Sequence, residues 1–126
     1  MIRLRSNFRK DDVFLYRVKL APDQCRTVFV DMLQRANRLA GQPEFYNTLT
    51  NNCATNLIAH FNQALPQKIP YTYQVLFPGL SDRLVYDMGL IDSTGSFDQT
   101  RAAARINRLA YIYRYSPQFS QAIRRY

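Results

Sequence analysis

Few side chains in this chain can do covalent chemistry: two cysteines, Cys25 and Cys53, and a single histidine, His60. Cys53 stands in Tyr46-Asn47-Thr48-Leu49-Thr50-Asn51-Asn52-Cys53-Ala54-Thr55-Asn56-Leu57-Ile58, where a polar loop becomes an amphipathic helix. A thiol in the first turn of a helix lies beside backbone N–H groups that lack an intrahelical acceptor, and at the positive end of the macrodipole. Both favour negative charge on sulfur. The same N–H groups can hold the oxyanion that forms when a thiolate attacks an acyl carbon, so one element would supply attack and charge stabilisation. The competing reading is a small buried cysteine at a helix start.

Nucleophilic cysteines need a base. His60 shares a helix face with Cys53 but lies seven residues on, about 10 Å along the axis and beyond hydrogen-bond reach. It reads as a polar residue near the C-terminal end of that helix, where a protonated ring is favourably placed. Asp82, Asp87 and Asp92 read as a cap and as exposed helix or turn residues, and Tyr46 as a buried aromatic. Either Cys53 is not catalytic, or its base lies outside these 126 residues.

The elements that must position the thiol follow from periodicity and punctuation. Val13 to Leu20 alternates and is rich in β-branched and aromatic residues, which predicts a half-buried strand with Tyr16, Val18 and Leu20 on one side. Ala21-Pro22-Asp23 opens a helix ending near Gly41, with Cys25, Val28, Phe29, Met32, Ala36, Leu39 and Ala40 as its apolar face, opposite Arg26, Asp31, Arg35 and Arg38. The nucleophile-bearing helix spans about 52–64, capped from Thr50 to Asn52, with Ala54, Leu57, Ile58 and Phe61 buried. Tyr71 to Phe77 is a strand or an extended segment. Pro78-Gly79 is a turn, and Ser81-Asp82 caps a short helix up to Gly89. Ser96-Phe97-Asp98 starts the longest C-terminal helix, with Ala103, Ile106, Leu109, Ala110 and Tyr113 inward and Arg101, Arg105 and Arg108 along another side. Ser116-Pro117-Gln118 begins a last helix carrying Phe119 and Ile123 and ending in Arg124-Arg125.

Composition bounds the rest. With 47% hydrophobic residues the chain can form a core, and its length suits a single domain over 1–126. Two cysteines outside any CxxC spacing argue against a disulfide framework or a zinc site, and no cofactor motif occurs. No run of about 18 apolar residues is present. The +8 charge gathers at the ends: six basic and two acidic side chains in residues 1–20, five and seven in 21–100, six arginines and no acid in 101–126. That excess favours anionic partners. No fold signature for nucleic-acid binding accompanies it, so an anionic membrane surface or protein partner is the expectation, not nucleic acid.

Several segments resemble the periplasmic domain of bacterial lipoprotein N-acyltransferase-like membrane proteins. They are Leu4-Arg5-Ser6-Asn7-Phe8-Arg9 before Asp12-Val13-Phe14-Leu15-Tyr16; Phe45 through Cys53; Phe77-Pro78-Gly79; Tyr86-Asp87-Met88-Gly89-Leu90-Ile91-Asp92; Arg105-Ile106-Asn107; and Phe119-Ser120. The resemblance, running from Leu4 to Arg125, implies a permuted papain-like thiol fold in which a histidine in an upstream Gly-His pair precedes the nucleophile. Cys53 matches that nucleophile, Asn52 would orient its loop, and the Gly-His segment has no counterpart here. The chain therefore resembles only the C-terminal part of the domain. Cys25 matches no motif and reads as core.

Taken together, these readings predict a mainly helical α+β unit with a small antiparallel sheet, resembling the C-terminal part of that fold. The implied function is thiol acyl transfer or hydrolysis, with Cys53 accepting a fatty acyl group from a lipid or lipoprotein at the periplasmic face of the inner membrane. Alone, the piece is expected to be inactive for want of its histidine. The alternative is a non-catalytic basic module on an anionic membrane surface or protein partner. A sheet with one confident strand leaves an edge through which two copies are expected to pair.

Overall fold

A computed structural model describes residues 1–93 and 95–124, with the backbone alone for Leu76 and Pro78. The Arg125 end of the basic C-terminus lies outside the described residues. The chain divides into two compact units, one formed by residues 1–18 and 91–126 and the other by residues 19–90.

In the first unit a π-helical turn at Leu4–Phe8 leads, through a left-handed Lys10, into the extended run that the sequence marks as a strand. No strand forms there. The run makes two isolated antiparallel bridges to two different segments, Phe14 with Arg105 and Val18 with Ile91. Each partner is a short stretch at a helix boundary, too short to extend a ladder, so the predicted small antiparallel sheet is replaced by single bridges. Burial does not alternate along the run either: Val13 and Leu15 pack against the core of Ile106, Ala110 and Ile123, Phe14, Tyr16 and Leu20 are half-buried, and Val18 is exposed.

That pairing splits the predicted long C-terminal helix. Helix α5 (Phe97–Ala104), capped by the Ser96 hydroxyl, stops where Arg105 turns extended, and α6 (Asn107–Ile112) starts anew. The break is held by the extended run: Leu15 N–H donates to Ala104 O at 2.8 Å, Ile106 N–H to Val13 O at 3.0 Å, and the Asn107 amide bonds both Val13 N and Asp11 O. Arg101, Arg105 and Arg108 therefore do not form one helical stripe. Helix α7 (Phe119–Ala122) follows, and Ile123 closes the core.

In the second unit α1 (Pro22–Gly41) and α2 (Cys53–Ala64) form an antiparallel pair, followed by short α3 (Tyr73–Leu76) and α4 (Pro78–Asp87). The run Tyr71–Phe77 is thus a helical turn flanked by extended residues, not a strand. Of its alternating positions Val75 is buried, whereas Tyr71 and Tyr73 stay exposed. Pro78 is the first residue of α4 instead of a turn residue, which suits its missing N–H. Gly89, at φ +70, ends the helix in the left-handed region.

The largest departure lies in α1. Its more buried positions are Gln24, Val28, Asp31, Arg35 and Leu39, whereas Cys25, Phe29, Met32, Ala36 and Ala40 are exposed. Of the apolar face expected to be core only Val28 and Leu39 turn inward, while of the polar face Asp31 and Arg35 meet α2 and Arg26 and Arg38 stay exposed. Specific pairs fix this choice: Gln24 Nε2 donates to Ala64 O at 3.4 Å, His60 Nδ1 sits 2.6 Å from Asp31 Oδ2, and Arg35 donates to Asn51 Oδ1 at 3.2 Å. Cys25 is accordingly a surface thiol, not a core residue.

Candidate active site at the start of α2

The N-terminus of α2 is built by a loop dense in asparagine and threonine. Asn47 and Asn51 exchange both backbone hydrogen bonds, at 3.0 and 2.9 Å, and Asn47 Oδ1 accepts from Leu49 N and Thr50 N, closing a tight turn. A second set of contacts ties the turn to α1. Arg35 donates to Glu44 Oε2 at 2.7 Å and to Asn51 Oδ1, while Asn51 Nδ2 donates to Glu44 Oε2 at 3.1 Å and to Phe45 O at 2.8 Å. Asn56 Nδ2 reaches back to Asn51 Oδ1 at 2.9 Å.

Asn52 is the hinge of this arrangement and is 6% exposed. Its Oδ1 accepts from Ala54 N at 2.8 Å and Thr55 N at 2.9 Å, its Nδ2 donates to Thr48 O, and its own N–H donates to Thr55 Oγ1 at 2.9 Å. This is a closed capping box in which threonine takes the usual place of Glu or Gln. The Asn52 side chain is thus engaged through both its oxygen and its nitrogen by protein groups and holds the turn.

Cys53 occupies the first position of α2 with its side chain exposed. The two amides after it are taken by Asn52, but the Cys53 amide donates to no acceptor among the described residues. An exposed sulfur thus sits beside one unclaimed backbone donor on a turn fixed from both sides. One helical turn further on, Leu57 is exposed; in the preceding loop so are Phe45, Tyr46 and Leu49. Tyr46 is therefore a surface aromatic, not the buried one expected.

His60 does not join the thiol. It is 7% exposed and pairs through Nδ1 with Asp31 on α1, which requires Nδ1 to carry a proton because an ionised carboxylate only accepts. Its place is inside the helix pair, not at an exposed C-terminal end. Asp82 and Asp87 lie exposed or half-exposed on α4, where Arg83 pairs with Asp87 at 2.9 Å. Asn51, one of the three N-cap candidates, instead ties the turn to α1, and the parts that Arg35, Glu44 and Thr55 play here are missed by sequence reasoning. Thr55, three residues after Asn52, is the one that a capping-box pattern could have revealed.

Among the described residues no group of three or more His, Cys, Asp or Glu side chains could hold a metal ion. Nor is any described helix long and apolar enough to cross a membrane. No curated protein and no solved structure matches the chain. A family model described as the Lnb N-terminal periplasmic domain matches residues 1–79, a span that contains the whole Asn52–Cys53 turn and helix α2. Over that span, which is more than half its length, the chain belongs to the Lnb N-terminal periplasmic domain family.

Proposed function

We propose that Cys53 is the acyl-accepting nucleophile of a periplasmic thiol acyltransferase or hydrolase-like domain acting on lipid or lipoprotein acyl groups. In this reading the domain resembles the C-terminal part of a permuted papain-like fold. Its sulfur attacks the acyl carbonyl while the Cys53 N–H takes up charge developing on oxygen. The C–O bond to the leaving alcohol then breaks, the alcohol takes the proton given up by the thiol, and a thioester remains. Attack by an amine or water on that thioester cleaves the C–S bond and returns the sulfur. Asn52 acts as a positioning residue, because its amide fixes where the first turn presents the thiol. The base is supplied by a group outside these 126 residues, since His60 is committed to Asp31. By itself the chain is therefore inactive in turnover, and only an activated ester acylates it.

The observation carrying this reading is the exposed sulfur at the first helical position beside an unclaimed amide. Cys25, equally a surface thiol but within a helical turn, provides an internal control. Incubation with an activated fatty ester, followed by peptide mapping for a hydroxylamine-labile thioester, distinguishes the two. Cys53 should acylate faster than Cys25, Cys53→Ser should abolish that product, and His60→Gln should leave it unchanged. Equal acylation of both thiols would remove the support for a prepared nucleophile.

A further inference from the structure

Net charge divides unevenly between the two units. Residues 1–18 and 91–126 hold eleven basic and four acidic side chains, whereas residues 19–90 hold six and five. Two of the four acids are already engaged: Asp11 by Arg5 and Arg9, and Asp12 by Arg105. Within this unit one surface combines uncompensated cations with exposed apolar groups. Arg114 lies between two tyrosines, its guanidinium carbon 4.2 Å from the Tyr111 ring centre and 4.9 Å from that of Tyr115, and donates to Tyr111 O at 2.8 Å. Beside it Arg3 covers the Phe119 ring at 4.5 Å and reaches Ser116 O at 3.4 Å. Neither arginine has a carboxylate partner among the described residues. Tyr111, Ile112 and Tyr115 are 55%, 53% and 86% exposed.

We infer that this surface, Tyr111, Ile112, Arg114 and Tyr115 with Arg3 alongside, docks the chain onto an anionic lipid bilayer. Its chemistry suits the headgroup layer. Tyrosine rings place an apolar body and a polar tip across a membrane interface, and arginine keeps its charge in the wet layer while its stem lies on apolar surface. The aliphatic Ile112 gains from entry into the acyl boundary, a gain that a fully hydrated polyanion does not offer. Charge complementarity selects the anionic leaflet, and the inference stands whether or not Cys53 reacts with acyl groups.

The chain contains no tryptophan, so one introduced tryptophan reports its own surroundings. Tyr115→Trp should shift its emission to the blue with phosphatidylglycerol vesicles, be quenched by brominated lipid, and respond far less to phosphatidylcholine vesicles. Cosedimentation with the anionic vesicles should weaken about fivefold for each of Arg3→Gln and Arg114→Gln, recover in Arg114→Lys, and fall with added salt. Ile112→Ser should weaken binding without changing its salt dependence. Absence of binding to phosphatidylglycerol vesicles would overturn the inference. So would indifference to both arginine changes, or retention by a single-stranded oligonucleotide in place of vesicles at the same salt.

Discussion

Asn52 makes more structural contacts than the thiol it precedes. Its side-chain oxygen satisfies two of the orphan amides of α2, and its side-chain nitrogen satisfies the Thr48 carbonyl of the preceding turn. Replacing such a cap by alanine costs about 1–2 kcal/mol. Because the residue is buried, the amides and the carbonyl it leaves are not readily rescued by water. We therefore expect Asn52→Ala to lower unfolding free energy by about 1–2 kcal/mol in denaturant titration. Asn52→Asp should fall between the two, since it keeps the acceptor and adds favourable charge at the helix start but sets a carboxylate oxygen against Thr48 O. A loss of only a few tenths for Asn52→Ala would mean that the cap does not hold the turn in solution. The site's cap was legible in the sequence for a local reason: an N-cap oxygen and the amides that donate to it are separated by two or three residues, so Asn52 ahead of Cys53 carries its own geometry.

Helix faces are not local in this sense, and α1 shows why. Its apolar residues recur at helical spacing and predict a core stripe, yet apart from Val28 and Leu39 that stripe is exposed, and Asp31 and Arg35 turn toward α2. The partners that reverse the face, His60 and Asn51, lie 29 and 16 residues away. Periodicity within α1 contains no record of them. The same holds for the break between α5 and α6, where Asn107 looks like an ordinary helix residue until Val13 and Asp11 arrive to bond it. The α1 arrangement predicts contrasting substitution costs. Phe29→Ser, a change that costs about 3–5 kcal/mol when a buried phenylalanine is truncated, should cost under about 0.5 kcal/mol because the ring is 62% exposed. Asp31→Ala should cost about 1–3 kcal/mol by leaving the buried Nδ1–H of His60 without an acceptor. A double-mutant cycle with His60→Ala should return a coupling of at least about 0.5 kcal/mol. If Phe29→Ser were the more damaging change, α1 would be rotated in solution relative to this packing.

At the scale of the whole molecule the dominant asymmetry is electrostatic. Residues 1–18 and 91–126 carry seven more basic than acidic side chains, while residues 19–90 are nearly balanced with six against five. The ion pairs shown in the basic unit are exposed and involve Asp11 and Asp12; such surface pairs contribute about 0–1 kcal/mol each. Its excess of cations therefore repels itself across a unit whose core cluster is built, among the described residues, on Ile106, Ala110 and Ile123. Added salt weakens both the few attractions and the many repulsions, and with this imbalance the second effect is larger. Raising ionic strength from about 0.01 to 0.1 M shortens the screening length from about 30 to 10 Å, enough to separate charges spread over one small unit. Amide exchange should consequently slow at Ile106 and Ala110, which bond Val13 O and Ile106 O, while Asn56 and Leu65 in the balanced unit respond little. Should the two groups of amides respond alike, the units open together and charge is not what limits the basic one. A response confined to the basic unit would show that its stability is set by self-repulsion, a penalty that an anionic surface relieves by neutralising the same arginines.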